Sequence, residues 1–124
     1  MENWTEYKNA PAPGTQLCNT TDIPSGQVKE FSFGDSPFNF RMFVYNDNGA
    51  FRAFRNSCPH FDVPLNHSPE ELFTDDGQHF QCITHFARFD KHSGLCVYGP
   101  CEGEALQSIA LHEENGMLSI AAFG

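Results

Sequence analysis

"RNSCPHFDVPLNHSPEELFTDDGQHFQCITHFARFD", residues 55–90, holds two Cys–His pairs of different internal spacing. One residue separates Cys58 from His60, two separate Cys82 from His85, and residues 61–81 lie between the pairs. Two thiolates and two imidazoles are soft or borderline ligands, suited to zinc or to an iron–sulfur centre. A zinc finger normally places both cysteines in one knuckle and both histidines on one helix. Here each segment supplies one cysteine and one histidine, and neither reads as a helix. That division suits a binuclear centre in which one iron takes both sulfurs and the other takes both imidazoles.

Around these pairs the chain alternates apolar and polar residues at period two, in "QVKEFSF" (27–33), "FNFRMFVYN" (38–46) and "AFRAFRNS" (50–57). Phe38, Phe40, Met42 and Val44 share one face of the second segment; Phe51 and Ala53, with Arg55, share one face of the third. "GDSP" at 34–37 and "DNG" at 47–49 read as turns, the latter a hairpin signal. Further short strands are predicted over "QHFQC" (78–82), "FARFD" (86–90), "LQSIALH" (106–112) and "MLSIAAF" (117–123), with "EENG" joining the last two. One helical turn is predicted over "SPEELF" (68–73), with Ser68 as N-cap and Pro69 at the first position. The pattern is that of an antiparallel all-β domain, with strands from the N-terminal and C-terminal thirds pairing. Both Cys–His pairs then fall where a strand gives way to a loop, the usual place for a site on a rigid scaffold.

A chain of 124 residues suits one domain. It can bury about two-thirds of its unfolded surface, so it needs no metal merely to fold. Residues 1–14, punctuated by Pro11, Pro13 and Gly14, read as a polar tail. Seven basic against sixteen acidic residues give a net charge of −9. Such a field disfavours nucleic acid and anionic membrane and favours a basic protein partner. The sequence contains no apolar run of the roughly 20 residues that a membrane helix needs. The N-terminus has no basic segment followed by an apolar one, so no signal peptide is read and a cytoplasmic location is expected. Five cysteines in a reducing compartment point to metal or catalysis rather than to a disulfide framework.

The paired loops resemble the Rieske [2Fe-2S] signature, Cys-x-His followed by Cys-x-x-His. "CPHFDVPL" (58–65) is similar to the family's first cluster loop, including Pro64 and Leu65, and "CITHFARFDKHSG" (82–94) to the second, with Phe89, Asp90 and Gly94. "YGP" (98–100) resembles the proline loop that covers the cluster, and the likeness extends over about residues 51–111. It implies a single domain over 15–124 behind the 1–14 tail: an antiparallel Rieske-type β-sandwich with a small cluster-binding subdomain. The subdomain would consist of loops at about 57–67 and 82–93, with the proline loop at 98–101. The resemblance further implies that Cys58 and Cys82 bind one iron as thiolates, while His60 and His85 each bind the other through one ring nitrogen. The remaining ring nitrogens would face a docking partner. Two features depart from the pattern. The linker carrying "NHSPEELFTDD" is longer than in many members and reads as a surface excursion, which costs little. Phe86 stands where members often carry Gly after the second-loop histidine.

A cluster saturated by protein ligands has no open position for substrate, so its work is one-electron transfer and no catalytic residue is expected. The chain is too short for the catalytic domain of an oxygenase large subunit, and it has no Gly-rich dinucleotide fingerprint. The resemblance therefore implies a ferredoxin, itself not an enzyme, that passes electrons from a flavin reductase to a terminal oxygenase, with a monomer the favoured state. A small Rieske subunit of a larger reductase, like that of nitrite reductase, is the alternative, and a structural zinc protein is a third reading. Cys18 is expected in the core. Cys96 and Cys101 flank the proline loop and could pair, but free thiols are expected in a reducing cytosol. His67, His79, His92 and His112 are assigned to the surface. High-potential family members carry an extra loop disulfide together with Ser and Tyr donors to sulfur. Val63, Thr84, Ala87 and Phe89 occupy the matching positions here. A potential in the lower part of the family range, below about 0 mV, is therefore expected.

Overall fold

The computed structural model of the chain describes residues 4–59, 63–83 and 86–121. Among them ten strands form: β1 (Gln16–Asn19), β2 (Val28–Phe33), β3 (Phe40–Asp47), β4 (Ala50–Arg55), β5 (His79–Gln81), β6 (Arg88–Asp90), β7 (Cys96–Tyr98), β8 (Ser108–Ile109), β9 (Leu111–Glu114) and β10 (Met117–Ile120). They make three sheets, ordered β1-β10-β9, β2-β3-β4-β8 and β5-β6-β7. The antiparallel all-β expectation holds, and so does the pairing of N-terminal with C-terminal strands, since β1 lies antiparallel to β10. The chain divides into two compact units, Met1–Arg55 with Ile109–Gly124, and Asn56–Ser108.

In the first unit β3 lies between β2 and β4 and buries both of its faces. Phe40, Met42 and Val44 join a core with Ile23, Leu118 and Ile120. On the opposite face Phe43 sits across from Phe54 with ring centroids 5.7 Å apart, a favourable tilted aromatic pair. Phe38 departs from the expected face. A turn in which the Phe38 amide donates to the Asp35 carbonyl precedes the strand, leaving the ring exposed with the Lys8 ammonium 4.9 Å from its centroid.

The described part of the segment read as a tail is folded. Trp4 begins a 3-10 turn, is 4 % exposed and lies 5.8 Å from the Phe40 ring. The Arg55 guanidinium stacks 3.7 Å over the Tyr7 ring, and the Gly14 amide donates to the Ile120 carbonyl. One large aromatic outweighs the polar composition around it. Cys18 is buried in β1, where burial, reinforced by the Asp22 carboxylate, pushes its thiol up; it is an inert core thiol. "LQSIALH" forms two strands instead of one, because the chain changes sheets at Ala110 between β8 and β9.

The second unit is more than a pair of loops. It has its own sheet, β5-β6-β7, and its own buried residues, Leu65, Leu72, Phe80 and Phe89. The turn predicted near Ser68 is a 3-10 turn, Pro69–Leu72, whose Glu71 carboxylate accepts the backbone amides of His67 and Ser68 at 3.0 and 2.9 Å. The Ser68 bond satisfies a donor that a helical turn leaves open at its start, and the His67 bond extends it by one residue. No helix among the described residues is long and apolar enough to cross a membrane.

Candidate metal centre

The two cysteine loops are closed in the same way. The Cys58 amide donates to the Val63 carbonyl at 2.7 Å, and the Cys82 amide donates to the Ala87 carbonyl at 2.9 Å. Each loop thus arches back onto the backbone of its own cysteine. The Ile83 amide donates to the Leu65 carbonyl at 2.9 Å and ties the second loop to the first. Below the first loop, the Asn56 side-chain amide donates to the Asn66 side-chain oxygen at 2.7 Å, and the Asn56 oxygen accepts the Leu65 amide at 2.8 Å. The Asn66 side chain donates onward to the Ser68 carbonyl at 2.8 Å. Asparagine carries donor and acceptor on one short arm, so this buried pair can lock both ends of a loop that has no ladder of its own.

Cys58 and Cys82 are 1 % and 0 % exposed, and neither is in a disulfide. Two buried sulfurs on loops held together by backbone bonds suit an iron–sulfur group. The histidine half of the expected set, His60 and His85, lies outside the described residues, as does Thr84. Among the described residues no three His, Cys, Asp or Glu side chains gather as a metal site.

The proline loop packs onto the second loop through a missing side chain. Gly99 has φ +105°, and a Cβ there would lie 2.8 Å from the Ala87 Cα, so glycine is required on both counts. Ala87 and Phe89 are fully buried, and neither has a side-chain donor. Cys96 and Cys101 bracket the loop, are both free and buried, and bring their sulfurs to 2.8 Å. The Cys96 thiol donates to the Tyr98 carbonyl at 3.3 Å. Burial foremost, then the sulfurs of Cys96 and Cys58, push the Cys101 thiol far up.

Beyond Ala87, the Asp90 side chain accepts the amides of His92 and Ser93, both at 2.8 Å, and its backbone carbonyl accepts the Gly94 amide. The Ser93 amide is the main cause of the lowered Asp90 carboxyl value. This turn explains the Asp90 and Gly94 of the motif. Phe86 occupies the left-handed region at φ +60° with its side chain 68 % exposed, and its amide donates to the Cys82 carbonyl at 2.7 Å. A positive φ accounts for glycine at that position in other sequences. His67, His92 and His112 are exposed as expected. His79 is not: it is half-buried on β5, and its Nδ1 is buried without a hydrogen-bond partner among the described residues. Sequence reasoning did not find the roles of Asn56 or Asn66, because no spacing rule marks them.

A family profile described as the Rieske [2Fe-2S] domain matches residues 15–113. The ferredoxin component of the p-cumate 2,3-dioxygenase system of Pseudomonas putida is 30% identical over 104 residues, covering 84% of this chain and 81% of that one. Among solved structures, the ferredoxin of carbazole 1,9a-dioxygenase from Nocardioides aromaticivorans IC177 superposes with a TM-score of 0.64 at 18% identity, covering 87% of this chain and 98% of that one. A complex of reduced oxygenase and oxidized ferredoxin in carbazole 1,9a-dioxygenase contains a chain matched with a TM-score of 0.64 at 21% identity, over 86% of this chain and 90% of that one.

Proposed function

The chain belongs to the Rieske [2Fe-2S] domain family, and from that premise we propose that it is the ferredoxin component of an oxygenase system, carrying single electrons from a flavin reductase to a terminal oxygenase. A bound [2Fe-2S] cluster supplies the one-electron chemistry. Cys58 and Cys82 hold one iron as thiolates, and His60 and His85 hold the other as neutral imidazoles. The observation that supports this reading most directly is the pair of buried cysteines, neither in a disulfide, on loops joined through Ile83 and Leu65. The protein's part is to keep those sulfurs out of water and fixed in place, so that little rearrangement accompanies electron transfer. The p-cumate relative bears the name of a ferredoxin component, and one carbazole structure pairs a ferredoxin with its oxygenase. Both fit docking on a partner protein. Five free cysteines fit a reducing cytoplasm.

Reconstitution with iron and sulfide, followed by visible spectroscopy, tests the ligand set. Cys58→Ala, His60→Ala, Cys82→Ala and His85→Ala should each lose the cluster spectrum, while His67→Ala and His92→Ala keep it. A normal spectrum in His60→Ala together with a lost one in His92→Ala would overturn the assignment. Film voltammetry of the loaded protein should give a potential below about 0 mV, in the lower part of the family range.

A further inference from the structure

Cys96 and Cys101 stand on either side of the proline loop, with residues 97–100 between them. Their sulfurs meet at 2.8 Å, and both side chains are 1 % exposed. The backbone fixes this approach as much as the side chains do. The Cys96 amide donates to the Glu104 carbonyl at 2.7 Å, and the Gly103 amide returns to the Cys96 carbonyl at 3.2 Å. The Glu104 amide donates to the Cys101 carbonyl at 2.8 Å. A thiol is a weak donor and a weak acceptor, so one S–H···S contact adds little to holding the turn. What two adjacent sulfurs can do, and two apolar side chains cannot, is join covalently. Neither belongs to the proposed ligand pair Cys58 and Cys82, and both are free of disulfides. We propose that Cys96 and Cys101 form a redox-active dithiol, which closes to a disulfide when the low-molecular-weight thiol pool is oxidised and latches the proline loop over the metal centre.

The oxidant is a small disulfide of the glutathione class. One cysteine thiolate attacks it, its S–S bond breaks, and one small thiolate leaves from a mixed disulfide. The second cysteine thiolate then attacks the protein sulfur of that intermediate and displaces the other small thiolate. The protein gives up two electrons and two protons; the oxidant takes up both pairs and ends as two thiols. A reduced pool reverses both steps. Burial, which also pushes the Cys101 thiol far up, makes the exchange slow, because the loop must lift before the oxidant can enter. The latch therefore answers a sustained oxidation and not a passing one. Its effect on the centre rests on the reading of Cys58 and Cys82 as ligands; the disulfide itself does not.

Two measurements on the loaded protein test it. The first equilibrates it in glutathione buffers of rising disulfide fraction, quenches in acid, alkylates and maps the peptides by mass. Cys96 and Cys101 should pass together from alkylated to mutually cross-linked, and dithiothreitol should return them. Both sulfurs still alkylated across the whole series, or glutathione left on either one at equilibrium, would overturn the dithiol. The second follows iron release to a chelator, which should be several-fold slower from the cross-linked than from the reduced wild type. Cys101→Ser should release iron at one rate in every buffer. Equal rates from the two wild-type states, or the same change in Cys101→Ser, would remove the latch. The mapping needs no variant, so it decides the matter even where Cys101→Ser fails to fold. A chain that takes up no iron yet forms the cross-link sinks the ligand reading and keeps the dithiol. A loaded protein that never forms it does the reverse.

Discussion

Phe86 holds a backbone conformation that costs an ordinary L-residue about 1–2 kcal/mol, and its ring recovers little of that because it is 68 % exposed. Phe86→Gly should therefore raise stability by up to about 1 kcal/mol, the relief of strain being partly offset by the greater freedom of glycine in the unfolded chain. Urea denaturation of the two proteins would show it, and a lower midpoint for the variant would refute the strain argument. At this scale the cysteines of the proposed centre stood out because their spacing is a statement of coordination chemistry. Asn56 and Asn66 were not, since they act through side-chain bridges between chain segments that no periodicity records. Cys101 was visible as a neighbour of the proline loop, but its 2.8 Å approach to the Cys96 sulfur exists only once that loop is folded.

Among the elements, the proline loop has the least room to change. A methyl group on Gly99 would meet the Ala87 backbone at 2.8 Å, where no flexible side chain can give way, and it would add strain at φ +105°. Gly99→Ala should cost about 2 kcal/mol or more and lift the loop from its seat. Release of iron to a chelator, followed by the fading visible spectrum, should be faster than in wild type; equal rates would show that the seat does not protect the cluster. β3 and β4 were legible although neither buries one face alone: Phe43 and Tyr45 are buried along with Met42 and Val44, and Phe54 along with Ala53. A central strand covered on both sides loses the alternation that betrays an edge. β7 was missed because Tyr98 was read as part of the proline loop and Cys96 as its flank, and the split of β8 from β9 because a change of sheet leaves the apolar pattern intact.

At the scale of the whole molecule, a net charge of −9 sets up a field that a basic partner surface would feel at a distance. Electron exchange with the reductase, followed by stopped flow under second-order conditions, should slow by roughly an order of magnitude between low and high salt as that field is screened. A rate indifferent to salt would exclude electrostatic steering. The division into two units left no trace in composition, because no linker marks it and one unit is assembled from both ends of the chain. The pairing of β1 with β10, Gln16 opposite Ser119, has a bearing on biogenesis. A ribosome delivers residues from the N-terminus onward, so β1 must wait for nearly the entire chain before its partner strand exists, and pairing across such a sequence distance is slow. Asn56–Ser108, by contrast, is uninterrupted and is already in hand while the other unit still lacks strands. The order of synthesis therefore completes the segment that carries the cysteine loops before β9 and β10, which close the other unit, have been made.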